Sequence, residues 1–267
     1  MITFVRTKKV SFMNRRDMLK MTGAAVAGTS LFGLDAVASE KNYREEGEKG
    51  EKKSRKALVF GAHPDDPETG CGGTMIKLKN AGFEVVSVYL TKGEAGIEGT
   101  PYDQAAKIRV AEATKACQMM GVRPVFLTQI DGSAEVNKDR YSEVKEILAA
   151  EQPDIVFTHW PIDSHTDHRV CYTLVYDAWR RLGYNFELYF YEVMSGVQTQ
   201  LFHPTDWVDI TETSQLKKDA SFCHVSQKPE NWYTSAHEQM EIFRGMEYRC
   251  GRAEAFVHAR RDKNYMY

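Results

Sequence analysis

Residues 57–73 read ALVFGAHPDDPETGCGG, and this passage decides how the chain is organised. The run Ala57–Phe60 is apolar, follows a charged segment and is too short for a helix, so it reads as a buried strand. His63, Asp65, Asp66 and Glu68 then fall within six positions. A solvated turn needs far less acid than this, so the stretch marks a site. The interleaved Gly and Pro residues argue against regular structure across the acids. The first helix is therefore expected only in GGTMIKLKNAG (72–82), with Met75, Ile76 and Leu78 apolar and Gly82 as its stop.

Working outward, EVVSVYLT (84–91) is a β-branched second strand. PYDQAAKIRVAEATKACQMMG (101–121) is a helix opened by proline, with Ala105, Ile108, Ala111, Ala116 and Met119 as its expected apolar stripe. VRPVFLT, DIVFTH and LYFYEV are further strands, separated by helices in 137–153 and 167–183. The tail adds WVDIT, helical stretches near 213–223 and 235–249, and a last strand at 254–259. Strands alternating with helices of this length need crossover connections. They give an α/β fold with a mostly parallel sheet and helices on both faces. In open sheets of this kind ligands bind at the carboxyl ends of the strands. His63 follows the first strand, Thr91-Lys92-Gly93-Glu94 the second, and SHTDH (164–168) lies just past the fourth.

Ahead of this domain, assigned to 56–267, residues 1–38 carry Arg15-Arg16, a short apolar run from Met21 to Leu34 and a cleavage-like Ala36-Val37-Ala38. That is the pattern of a twin-arginine export signal, with Met13 as a plausible start, and it predicts a periplasmic or extracellular protein. The apolar run is too short for a stable membrane span. Residues 39–55 form a charged linker. The whole chain has a formal charge of −2 and no basic tract, so nothing points to nucleic acid as a partner. Cutting after Ala38 would leave the mature chain near −6. The five cysteines show no CxxC and no pairing by spacing, so core thiols are expected rather than a disulfide scaffold. Nothing in the sequence bears on oligomeric state.

The polar clusters have the composition of a metal site. Zinc takes imidazole nitrogens and carboxylate oxygens, and a catalytic site keeps one position open. His63 and Asp66 are three apart in a turn, and HTDH supplies His165 and His168, also three apart. Spacing does not decide which histidine of HTDH would bind. Asp65, beside Asp66 but turned to another side, suits a general base. The histidine left over could be oriented by Asp167, which could equally cap the helix that begins there. Glu68 is expected to bond back to turn amides.

The stretch AHPDDPETGCGG resembles the signature AHPDD-x-E-x-x-x-GG of the PIG-L/LmbE-like family of zinc-dependent N-acetylglucosaminyl deacetylases. SHTDH resembles that family's second metal motif, with a threonine where proline is common. RVAEA, DWVDIT, HVSQ and the closing AEAF extend the similarity over about 57–259. The resemblance implies a Rossmann-like fold without a dinucleotide, and no GxGxxG follows the first strand. It also implies one Zn2+ held by His63, Asp66 and His168, and Asp65 as general base. His165 with Asp167 would stabilise the oxyanion, and Arg109 would bind substrate. The expected reaction is removal of an acetyl group from an N-acetylated amino sugar of a small glycan or glycoconjugate. A metal-dependent amidase or phosphoesterase acting on a non-sugar substrate is the alternative, and phosphate release against acetate release separates the two.

Overall fold

The computed structural model describes residues 54–260. The expected leader (1–38) and most of the linker lie outside the described residues. Seven strands form one sheet in the order β3-β2-β1-β4-β5-β7-β6. They are β1 (Lys56–Gly61), β2 (Glu84–Tyr89), β3 (Arg123–Phe126), β4 (Ile155–His159), β5 (Glu187–Tyr191), β6 (Asp206–Asp209) and β7 (Ala253–His258). The first five are parallel, as the crossover helices require, and β7 runs antiparallel between β5 and β6.

The crossover helices are α1 (Asp66–Asn80), α2 (Tyr102–Met120), α3 (Lys138–Glu151) and α4 (Thr166–Arg181); α5 (Ser214–Ser221) and α6 (Glu238–Tyr248) follow β6. Alternate residues of the strands feed two cores. Ala57, Val59 and Val85 pack with Met75, Ala113, Cys117 and Ala220 under α1, α2 and α5. Leu58, Phe60, Val86 and Val88 pack with Val144, Leu148, Leu174 and Ala178 under α3 and α4. This period-two division is what buries both faces of a parallel sheet. All five cysteines are free thiols, and four of them are buried.

Two elements differ from expectation. Helix α1 begins at Asp66, inside the acidic stretch, rather than at the later glycines. Pro67 sits in its first turn, where a missing N–H leaves no bond unmade, and Asp66 and Glu68 there face the positive end of the helix dipole. Helix α2 buries Ala105, Arg109, Ala113, Ala116, Cys117 and Met120, while Ile108, Ala111 and Met119 of the expected stripe are exposed. A charged residue therefore lies on the inward face, which an apolar pattern does not count.

Because β1 pairs with β2 on one side and β4 on the other, the order reverses there. The loops leaving β1 and β4 open apart at that point, which creates a crevice at the carboxyl edge.

Candidate active site

The crevice holds the predicted residues. His63 lies on the turn after β1, Asp65 is the N-cap of α1, and Asp66 is the first residue of that helix. His165 is the N-cap of α4, with Asp167 and His168 in its first turn. Arg109 reaches in from α2. Together with Asp131, from the loop after β3, most of these line a cavity of about 540 Å³.

Asp66 is the hub. Its Oδ2 accepts from the His63 amide at 2.7 Å and lies 3.2 Å from His63 Nδ1, while Oδ1 lies 3.3 Å from His168 Nε2. The other nitrogen of each histidine faces a second carboxylate. His63 Nε2 is 3.1 Å from Asp131 and 3.2 Å from Asp167, and His168 Nδ1 is 3.2 Å from Asp163. Burial disfavours charge on these rings, but the carboxylates outweigh it. His63 is held well above its ordinary 6.5, and His168 is raised to about 9 by Asp66 and then Asp163. Asp66, despite burial, is pulled well below the usual carboxylate range by His168 and His159.

The donor set suits a divalent ion of zinc's type. Ligands about 2.0–2.2 Å from a tetrahedral ion stand roughly 3.3 Å from one another, and the Asp66 contacts have that length, but they use its two oxygens separately. Among the described residues, the groups whose ligand atoms converge are Asp66, His159 and His168; His63, His165 and His168; and His63, Asp131 and Asp167. Each imidazole backed by a carboxylate is the arrangement that orients metal-binding histidines. His159 also lies within reach, 3.3 Å from Asp66, and stacks on His168 with ring centroids 4.0 Å apart. Its Nε2, however, already accepts from the Ala62 amide at 3.0 Å. Burial, then His168, lowers His159 to about 4, so it is a neutral prop beneath the site.

Asp65 sits at an N-cap position without capping: its side chain makes no bond to the helix amides and instead accepts from Arg109 Nη2 at 2.8 Å. Its φ of 126° lies in the region disfavoured for residues with a Cβ, a strain that clusters at functional sites. Burial raises its pKa, with Arg109 opposing. Arg109 is 3% exposed and also donates to Pro64 O, so its observed contacts hold Asp65 and the turn. Gly93 and Gly96 leave the space for it: a Cβ at Gly93 would stand 2.5 Å from Arg109 Cδ.

The Asp167 pairing differs from expectation. Its carboxylate contacts His63 and accepts from the Gly132 amide at 2.7 Å, and it neither pairs with His165 nor caps the helix. The cap is His165, whose Nδ1 accepts from the Asp167 amide at 3.2 Å. Burial, then His63 and His168, lowers the His165 pKa, so its ring is neutral. Because Nδ1 accepts, Nε2 carries the proton and is the donor. Glu68 bonds no turn amide. It is fully buried, takes the Tyr89 hydroxyl, and lies 3.8 Å from His224 of HVSQ.

Asp131, His159 and Asp163 escaped the sequence reading. His159 ends β4, and Asp131 and Asp163 lie in the loops after β3 and β4, the carboxyl edge where ligands of such sheets bind.

A family model described as PIG-L: GlcNAc-PI de-N-acetylase matches residues 58–179. Diacetylchitobiose deacetylase of Thermococcus kodakarensis is 30% identical over 198 residues, covering 66% of this chain and 72% of that protein. The solved N,N'-diacetylchitobiose deacetylase of Pyrococcus horikoshii superposes with a TM-score of 0.68 at 27% identity, over 78% of this chain and 84% of that one. A 4-carboxy-2-hydroxymuconate hydratase from a Pseudomonas reaches the same TM-score of 0.68 at 21% identity, over 79% of this chain and all of that one. It shares the fold alone, so the fold by itself does not select the reaction. Sequence and structure together establish that the chain belongs to the PIG-L family of hydrolytic N-deacetylases.

Proposed function

We propose that the protein is a zinc-dependent hydrolase that removes the acetyl group from an N-acetylated amino sugar of a small glycoconjugate and releases acetate. The observation that carries it is the gathering of His63, Asp66 and His168 in one crevice, each histidine with one nitrogen within 3.3 Å of Asp66 and the other facing a further carboxylate. The relatives named for diacetylchitobiose support the sugar as substrate class.

His63, Asp66 and His168 would hold the ion, which supplies Lewis acidity toward water and the acetamide carbonyl when bound. Asp65, with its raised pKa and its second-row support from Arg109, takes the proton of the attacking water. His165 donates from Nε2 to the oxygen that gains charge, acting as a neutral donor rather than an imidazolium. As the C–N bond breaks, Asp65 returns its proton to the leaving amine. Arg109 lines the cavity beside the substrate's position, consistent with a substrate contact in addition to its hold on Asp65. The twin-arginine-like leader supports export, so we place this activity outside the cytoplasm.

A panel of N-acetylated monosaccharides, oligosaccharides and glycosides tests the reading by acetate release. Release is expected from the zinc-loaded protein, to stop on chelation and to return with zinc. Phosphate release from phosphoesters, with no acetate from any member of the panel, would overturn it in favour of a phosphoesterase.

A further inference from the structure

We infer that His237 reads a hydroxyl of the substrate's sugar ring and so helps select the substrate, a role outside the two signature motifs; this rests on the deacetylase reading above. His237 closes the π-helical turn Tyr233–His237 and lines the catalytic cavity. Turns of this kind are rare and are frequent at functional sites. The turn is pinned by buried charge. The Tyr233 hydroxyl donates to Glu241 Oε1 at 3.0 Å, and Lys217 Nζ stands 2.9 Å from that oxygen and 2.8 Å from Glu254. Tyr233, Glu241 and Lys217 are all buried, so the imidazole is carried on a fixed support.

What singles out this ring is that no group among the described residues bonds its nitrogens. It is 2% exposed, yet Nδ1 is enclosed without a hydrogen-bond partner, which leaves Nε2 to the cavity. Buried polar side chains are ordinarily bonded, and one left unbonded at a cavity wall points to a partner that arrives with the ligand. The cavity's other unassigned polar side chains differ. Thr69 Oγ1 donates to Asp65 O at 2.9 Å and Trp232 Nε1 to Gln227 O at 2.8 Å. The Gln227 amide donates to Gly96 O and Ser226 Oγ, both at 3.1 Å. Gln198 is only partly buried, so water can serve it. Burial, then Lys217, holds the His237 pKa down to about 3, so the ring is neutral. A neutral imidazole suits a hydroxyl, which both gives and accepts a hydrogen bond, better than a phosphate or carboxylate. Trp232 also lines the cavity, edge-on to the imidazole with ring centroids 5.4 Å apart. An aromatic surface next to a polar nitrogen matches a pyranose, with its C–H faces and rim of hydroxyls.

The test measures acetate release by the zinc-loaded full chain from the methyl glycoside of N-acetylglucosamine and from its 3-, 4- and 6-deoxy analogues. His237→Phe keeps a ring and loses the nitrogens. It is expected to raise KM about tenfold, with kcat within about threefold and zinc content unchanged, since a bond held throughout the reaction is uniform binding. One deoxy analogue should lose about tenfold in kcat/KM with the unaltered protein and less than about twofold in the variant, because the bond it lacks is already gone. His237→Gln, which can place an amide near the Nε2 position, should bring KM back to within about threefold. His237→Met serves the same comparison if the phenylalanine variant does not fold. Deoxy analogues that all lose the same factor in both proteins would overturn the inference and leave the deacetylase reading intact. So would a substitution that lowers kcat or zinc content and leaves KM alone. The methyl glycosides of glucosamine and of its deoxy analogues, which have no acetyl group to lose, should show the same coupling in calorimetric binding. That coupling with no acetate released would uphold the role of His237 and sink the deacetylase reading instead, and neither binding nor release would overturn both.

Discussion

Asp65 forgoes the helix amides that an N-cap aspartate ordinarily serves and is held by Arg109 in strained backbone. That combination makes sense for a group whose task is a proton rather than stability. Asp65→Asn is expected to keep zinc and lose about 10²–10⁴-fold in kcat, the usual range for a general base; metal analysis beside acetate release checks it, and near-normal turnover would remove Asp65 from the role. Asp163→Asn should do the reverse. With His168 Nδ1 unsupported, zinc affinity should fall about 10–100-fold, measured by competition with a chelator, and excess zinc should restore much of the rate. At this scale the sequence was legible where chemistry is local: His63, Asp65 and Asp66 sit in one turn, and His165 and His168 in another. Asp131 and His159 were not, because only the pairing of β2 with β3 and of β1 with β4 brings them to Asp66 and His63.

Among the elements, α1 carries the most constraint. Every residue from Asp66 to Ile76 is buried, so that stretch of the helix has no solvent face for a periodic pattern to reveal, and its glycines obscure its start. Those glycines are contact surfaces. A Cβ on Gly70 would overlap the Tyr191 ring, and one on Gly73 would stand 2.6 Å from Ile210. Gly70→Ala and Gly73→Ala gain helix propensity and should still lose about 1–3 kcal/mol to overpacking, read from urea denaturation. Stabilisation by either would show that the neighbouring side chains move freely. Two other sequence fragments gain meaning as elements meet. Glu112 of RVAEA accepts from the Ser226 amide at 2.7 Å and its hydroxyl at 2.6 Å, and so docks HVSQ on α2. Gln227 then reaches Gly96 O at 3.1 Å, beside Arg109.

For the whole molecule, the mostly parallel sheet followed from strand–helix alternation, whereas the strand order with its reversal between β1 and β4 and the antiparallel β7 did not, since nothing local fixes which strands pair or distinguishes one that turns back. The fold brings six imidazoles into and beside the crevice, and they titrate in opposite senses. His63, His168 and His224 are raised above 6.5: burial opposes their charge, but nearby carboxylates prevail. His159, His165 and His237 are lowered, chiefly by burial, His159 to about 4 and His237 to about 3. In metal-free protein the raised group contributes stability that is complete below pH 6.5 and is lost as pH climbs through the folded values, near 9 for His168. The lowered group contributes stability present above pH 6.5 and lost as pH falls toward the folded values. Each net proton amounts to about 1.4 kcal/mol per pH unit. Chelated protein should therefore be most stable near pH 6.5 and weaken on both sides, as followed by urea denaturation between pH 5 and 9. A metal ion needs neutral His63 and His168, so its stabilisation should grow with rising pH and fill in the alkaline side of that curve. A gap between zinc-loaded and chelated melting temperatures that stays constant from pH 5.5 to 8 would show that these two histidines are not displaced from their protons by the metal.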